Sequence, residues 1–322
     1  MKGPKLMVSL VLLSLVAAAG CAPAATPPPA TAVPAAPPAT AAPAPAAAED
    51  TNPWKVVQQV KVKHATTVAA FLNDTFGITA GYAGEVHYTA DGGQTWPKAK
   101  NASMCRFGVD IVNQTLAWHV GNGGNVRVST DGGQNWQAAA NLSSSGISQF
   151  ISFVDAKTGW AANQTKLWAT ADGAQKWTEV ALPKGAKNLV EIVLRTANDG
   201  YLLDEAGVLY VTQNGGQHWS SQMLELKDGA MALVKLPHGA AMRFFDADHG
   251  LIIASLAGGG NSELVALRTA DGGKTWQKED MAVPAKIGSL YLTHDGTTLT
   301  IFDTSNQVTV VRYAGSPLAQ AN

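Results

Sequence analysis

Short apolar runs broken by polar, glycine-bearing turns carry the chain from Trp54 to Tyr313. Residues 68–72, 78–82 and 85–88 form one such series, and the same order returns in four further series. Runs this short, rich in Val, Ile, Tyr, Phe and Trp and bounded by Gly, Asn and Asp, predict β-strands rather than helices. A final series at 289–293, 298–303 and 308–313 supplies three strands and no fourth. Before the first series, residues 54–62 alternate like a strand that has no hairpin partner nearby.

An octet punctuates the pattern. Thr89-Ala90-Asp91-Gly92-Gly93-Gln94-Thr95-Trp96 recurs at 129–136, 170–177, 212–219 and 269–276. Its acidic position is held by Asp91, Asp131, Asp172, Asn214 and Asp271, and its last by Trp96, Trp136, Trp177, Trp219 and Trp276. Ala174 replaces the second glycine of the third copy. A carboxylate that accepts N–H groups of its own turn, followed by glycines free to take positive φ, makes a tight hairpin. The Trp then starts the next strand with a large apolar body to bury. The octet resembles the Asp-box, or BNR repeat, of β-propellers.

The Trp residues are spaced by 40, 41, 42 and 57 positions. Periods near forty with strand content predict propeller blades of four strands each. Gly77, Gly159, Gly200 and Gly250 mark the turn after the inner strand, with Ala117 in that place in blade two. The interval of 57 places loop insertions in blade five at 227–239 and 257–262. Trp54 precedes Trp96 by 42 residues, one blade period, so residues 54–62 are expected to complete the last blade. The fold predicted is all-β: a six-bladed propeller with Asp-box hairpins, closed by an N-terminal strand, with seven blades as the alternative count. Closure of this kind removes the sheet edges of an open ring.

Ahead of the strands the composition changes. Lys2 and Lys5, the apolar run 6–16 and Ala18-Ala19-Gly20-Cys21 resemble a bacterial lipoprotein signal, with Ala18 where Leu is usual. That resemblance implies cleavage after residue 20 and a lipid on Cys21. Residues 22–49 are almost entirely Ala, Pro and Thr, a composition that cannot build a core and favours an extended path. At about 3 Å per residue it could reach on the order of 80 Å. The expected division is therefore 1–20 signal, 21–51 anchor and tether, 52–315 propeller and 316–322 tail.

Charge adds exclusions. Cleavage removes Lys2 and Lys5 from 23 basic residues against 24 acidic ones, leaving about −3, which gives a nucleic-acid partner no support. With Cys21 lipidated, Cys105 has no disulfide partner and reads as a small buried hydrophobe. The seven histidines, His64, His87, His119, His218, His238, His249 and His294, show no metal-ligand spacing. One carboxylate per octet is too few for calcium, and Gly258-Gly259-Gly260 lacks what a phosphate loop requires. No cofactor and no metal are expected.

Asn52-Pro53-Trp54-Lys55-Val56-Val57 and Val311-Arg312-Tyr313-Ala314-Gly315, with the octets and the anchor, carry a wider likeness. Residues 52–315 resemble the bacterial photosystem II stability/assembly factor family, whose members are lipid-anchored or lumenal propellers. The resemblance implies a non-catalytic, protein-binding head. That family typically has seven blades and an arginine-rich surface, whereas this chain counts six blades and holds six arginines.

Inner strands line a propeller's channel, and their two faces differ here. Six residues before the turn glycine stand Phe71, Ile111, Phe153, Leu194, Phe244 and Leu290, an apolar core row. The opposite register carries Arg106, Asp110, Glu191, Arg195 and Arg243, with Tyr291 in the last blade. Two readings stand: mutual ion pairing in a hydrated channel, or a charged channel mouth that engages a ligand or partner. The same six residues match in type the sialidase set of three arginines, a Tyr–Glu pair and an Asp, although that family's Arg-Ile-Pro motif is absent. Further binding loops are expected at 98–105, 122–125, 163–166 and 204–207 and in the two insertions. The function expected is a monomeric head, lipid-anchored on the outer face of a bacterial envelope membrane. It would bind or assemble a membrane-associated protein complex, a photosynthetic one among the candidates; a sialidase-like or other carbohydrate-active propeller is the alternative.

Overall fold

Each strand alternates, so each sheet has faces to bury, and the sheets bury them against one another around a ring. The computed structural model describes residues 52–81, 84–102, 106–142, 148–225, 240–256, 263–281, 283 and 287–315. The signal, Cys21, the tether, Cys105, the two blade-five insertions and the tail all lie outside the described residues, as does the side chain of Arg106.

Blade one contains β2 (Val68–Phe71), β3 (Gly77–Ala80) and β4 (Val86–Thr89), after the closing strand β1 (Trp54–Lys61). Blade two is β5 (Arg106–Ile111), β6 (Ala117–Gly121), β7 (Val126–Ser129) and β8 (Gln137–Ala138). Blade three is β9 (Phe150–Phe153), β10 (Gly159–Ala162), β11 (Leu167–Thr170) and β12 (Thr178–Val180). Blade four is β13 (Leu189–Leu194), β14 (Gly200–Asp204), β15 (Val208–Thr212) and β16 (Ser220–Met223). Blade five is β17 (Ala240–Phe244), β18 (His249–Leu256), β19 (Glu263–Ala270) and β20 (Gln277–Asp280). Blade six is β21 (Ile287–Leu292), β22 (Thr298–Asp303), β23 (Gln307–Tyr313) and, outermost, β1.

The ring therefore closes with the first strand on the last. β1 runs antiparallel to β23, with Trp54 opposite Tyr313 and Lys61 opposite Gln307. Trp54 is buried against the Tyr313 ring at 5.0 Å, and the Arg268 guanidinium of blade five lies 4.2 Å over that same ring. The chain is a six-bladed propeller.

The core is divided among the gaps between blades. Six apolar clusters occupy the described residues, one in each gap, from Phe71, Phe302 and Val308 at the closing seam to Trp276, Phe244 and Tyr201 between blades four and five. The turn glycines make room for them. A Cβ on Gly77 would meet the Phe71 ring at 2.9 Å, and one on Gly159 would meet Phe153 at 2.5 Å. Blade two tolerates Ala117 because its inner-strand partner is Ile111, not an aromatic ring. A Cβ on Gly200 would strike Trp160 of the preceding blade at 2.1 Å.

The octets fasten each blade to itself. Thr89 Oγ1 donates to Asp91 at 2.8 Å and accepts from Gly93 N at 2.7 Å, while Asp91 accepts from Thr95 N at 3.0 Å. The hydrogen bonds from Thr95 draw the Asp91 carboxyl down to about 2. Gly92 N reaches Thr75 O in the inner hairpin, and the other four copies make the equivalent bond. Ala174 sits in the left-handed region at φ 60°, where its counterparts are glycines.

Four details depart from expectation. In blades two to five the strand after the octet begins one residue beyond the Trp, as at Gln137 and Thr178. Of the octet tryptophans only Trp136 and Trp276 are fully buried; Trp96, Trp177 and Trp219 are half-buried. Blade one has no fourth strand among the described residues, because Pro97 has no N–H to donate; Tyr88 N to Pro97 O and Ala99 N to Val86 O are what remain. In blade five β18 and β19 run to eight residues each, so part of the added length lies in strand.

Candidate functional site

Inner strands pair on one side only, so N–H groups on their channel edge need other acceptors. Side chains of the polar row supply them. Tyr291 Oη accepts from Ile111 N at 3.0 Å and donates to Ile111 O at 3.2 Å. Asp110 Oδ2 accepts from Phe153 N at 2.7 Å, and Ser152 Oγ from Leu194 N at 3.0 Å. Thr300 Oγ1 of β22 does the same for Phe71 N at 2.9 Å. The polar row is thus a set of staples from blade to blade.

The core row needs one correction. Leu290 enters that row by counting back six residues from Gly296, but Gly296 lies in the hairpin at φ 67° and does not start a strand. Leu292, paired with Leu299 and buried, holds the core position in blade six, and Leu290 is half-buried on the channel wall. The shift puts Tyr291 level with Asp110 and Arg243, one residue before the core row in each blade.

Asp110 is the hub. It is 1% exposed, yet it touches four blades: its own, Phe153 of blade three, Arg243 Nη2 of blade five at 3.6 Å and His294 Nε2 of blade six at 2.8 Å. Burial pushes its carboxyl up, but His294, Arg243 and the Phe153 N–H outweigh burial and hold it below the usual carboxylate range. Arg243 Nη1 also donates to Met242 O at 3.0 Å, and its guanidinium lies 5.9 Å over the Tyr291 ring. Burial and the neighbouring Asp110 charge raise the Tyr291 phenol well above its ordinary value.

Beside this plug the channel opens into a cavity of about 430 Å³ that residues of all six blades line. Its lining is more polar than apolar: Glu191, Arg243, Gln149 and Ser289 stand beside Phe150, Val190 and Leu290. Glu191 Oε1 accepts from its own neighbour Ile192 N at 2.9 Å. Enclosure pushes the Glu191 carboxyl up to about 8, because burial disfavours its charge by more than Arg243 favours it. At neutral pH it is a neutral acid facing the cavity.

Of the residues singled out in sequence, Asp110, Glu191, Arg243 and Tyr291 converge here. Arg195 does not: it follows β13 at the opposite end of the channel and pairs with Asp199 at 2.7 Å. Arg106 begins β5, with its side chain outside the described residues. The sialidase-like arrangement is not assembled by these groups. Its Tyr is tied through Oη to the backbone of Ile111, and Arg195 turns away from Arg243. His294 was missed; it sits in the turn after β21, where no spacing signal marks it. A histidine pair lies at the seam by blade one: His64 stacks on His87 at 3.7 Å and bonds Thr79 at 2.7 Å.

Comparison with known proteins agrees on the architecture. The BNR/Asp-box repeat family matches residues 127–138. The fold is similar to U3-55K, with a TM-score of 0.57 at 8% identity over 82% of this chain and 99% of that one. It is also similar to the H270A virginiamycin B lyase from Staphylococcus aureus with quinupristin, with a TM-score of 0.51 at 12% identity over 79% and 82%. YCF48 bound to a D1 peptide aligns over 83% of this chain and 96% of that one, at 16% identity and a TM-score of 0.47. No curated protein matches the sequence.

Proposed function

We propose that the chain is a membrane-anchored, non-catalytic binding head that serves the assembly of a membrane-associated protein complex. One observation carries this reading. The six inner strands converge on a single cavity, and the polar groups at its base are held by backbone bonds instead of being left free to react. Tyr291, Asp110 and Arg243 are spent on joining blades, which suits a rigid receptor better than a reaction centre. The anchor reading is supported by the Cys21 motif and the Ala/Pro-rich segment, and a photosynthetic complex by the resemblance of the opening and closing motifs. A protein partner is also what YCF48 shows with its D1 peptide, at a likeness too low to transfer that client.

Affinity capture from detergent-solubilised membranes tests the head, run beside Gln164→Trp, which fills the cavity rim from an exposed position. A membrane protein enriched by the wild type and lost with Gln164→Trp is the expected result. Equal recovery by both, or turnover of a sialoside, would overturn the proposal. Cys21→Ser tests the anchor: release to the soluble fraction is expected, and unchanged membrane retention would refute it.

A further inference from the structure

We infer that the central cavity is a cation site: it takes a primary ammonium group on an aliphatic stem, seated against Glu191. This rests on the channel mouth being the binding surface, and it names the chemistry that surface selects.

The charges lining the cavity decide the sign. Among the described residues the cavity is lined by two carboxyl groups, Glu191 and Glu205, and one basic side chain, Arg243. Arg243 is already committed to Asp110 behind it and to Met242 O. Glu205 shares a hydrogen bond with Asn188 at the rim. Glu191 accepts from Ile192 N, and among the described residues no salt bridge reaches it; Arg243 favours its charge without pairing with it. An anion entering the cavity would face Glu205 and the Asp110 charge beyond the arginine. An ammonium would instead supply the partner that Glu191 lacks, with three N–H donors in reach of its carboxylate.

The walls set the rest of the ligand. Phe150, Val190 and Leu290 are among the lining side chains, so a methylene stem has apolar surface to bury beside the polar groups. About 430 Å³ accommodates a lysine-sized chain. The Tyr291 ring completes the floor, with Arg243 over it, and His294 bonds Asp110 from blade six.

Binding then carries a proton signature. The empty site holds Glu191 protonated at neutral pH, since its carboxyl is pushed up to about 8. When an ammonium arrives, the Glu191 O–H proton leaves to solvent and the carboxylate pairs with the cation, which keeps its own protons. Near pH 7 about one proton leaves per ligand bound. Affinity therefore strengthens about tenfold per pH unit from pH 6 towards 8 and levels above it.

Hexylamine, hexanoate and hexanol are the probes, titrated calorimetrically into the full chain in two buffers of different ionisation enthalpy. Saturable hexylamine binding with that proton release and that pH profile is expected, with little binding of the other two. Glu191→Gln replaces a neutral acid by its isostere, so circular dichroism should be unchanged while hexylamine binds at least about tenfold more weakly. Tighter binding of hexanoate, hexylamine binding indifferent to Glu191→Gln, or no saturable hexylamine binding would each overturn the cation site. Capture of a membrane partner alongside any of these outcomes would leave the binding-head reading standing.

Discussion

The hydroxyl of Tyr291 in blade six both accepts from the N–H and donates to the carbonyl of Ile111 in blade two. One side chain thereby satisfies two backbone groups 180 positions away and ties together blades that are not neighbours in sequence. Tyr291→Phe should cost about 1–3 kcal/mol, since Ile111 N is left buried without its acceptor. Urea unfolding would show it as a lower midpoint; a midpoint within error of the wild type would mean that water replaces the phenol.

The turn glycines are matched to the rings they admit. Gly159→Ala sets a methyl 2.5 Å from the Phe153 ring and should destabilise by about 1–3 kcal/mol. Pairing it with Phe153→Ile, which copies the Ile111 and Ala117 combination of blade two, should cost less than the two single changes together. A double-mutant cycle by thermal or urea unfolding reads this, and simple additivity would refute the match.

The octet tryptophans should not be equal. Trp276 is fully buried and bonds Gly273 O within its own octet at 2.8 Å, whereas Trp219 is half-buried and reaches Ala181 O of the preceding blade at 3.2 Å. Trp276→Ala is expected to cost about 3–5 kcal/mol and Trp219→Ala clearly less. Equal losses would show that the octet, not the burial, sets the energy.

Two groups give opposite pH slopes. The Glu191 carboxyl is raised to about 8 from 4.5, so the folded state binds the extra proton and its stability falls as pH rises from about 4.5 to 8. The His64 ring is lowered to about 4 by burial and by His87, so its share of stability is present above 6.5 and is lost as pH falls towards 4. Urea midpoints between pH 4 and 9 should lose their fall between about 4.5 and 8 for Glu191→Gln and their rise between about 4 and 6.5 for His64→Gln. Profiles parallel to the wild type would remove both groups from the pH response.

Much of the fold was legible because a blade is a local object. The octet closes its hairpin with its own Thr89 and Asp91, and the next octet recurs one period later, so spacing alone reports blades and closure. Trp54 could be assigned to the last blade for the same reason: a period continues whether or not the partner strand is near in sequence. Pro97 was equally visible, but that it would leave blade one with three strands depended on how the chain then leans on blade two, where Lys100 N bonds Gln134 O.

The site was legible only in part. Asp110, Glu191, Arg243 and Tyr291 stood out as polar residues on strands meant for a core, and all four meet at the channel. Arg195 has the same parity as Glu191 but lies at the other end of its strand, and parity cannot tell one end from the other. Leu290 was misplaced because a glycine in a turn looks like a glycine at a strand start, and a bulge between Ile287 and Ser289 hides the register. His294 carries no periodic mark at all. The sequence by itself determined the repeat, the blade count and the seam, because hairpins, strand alternation and turn glycines obey short-range sterics. What only the tertiary structure decided is that Asp110 meets His294 and that, among the described residues, no salt bridge reaches Glu191. Those facts depend on which side chains six separate strands bring to one axis.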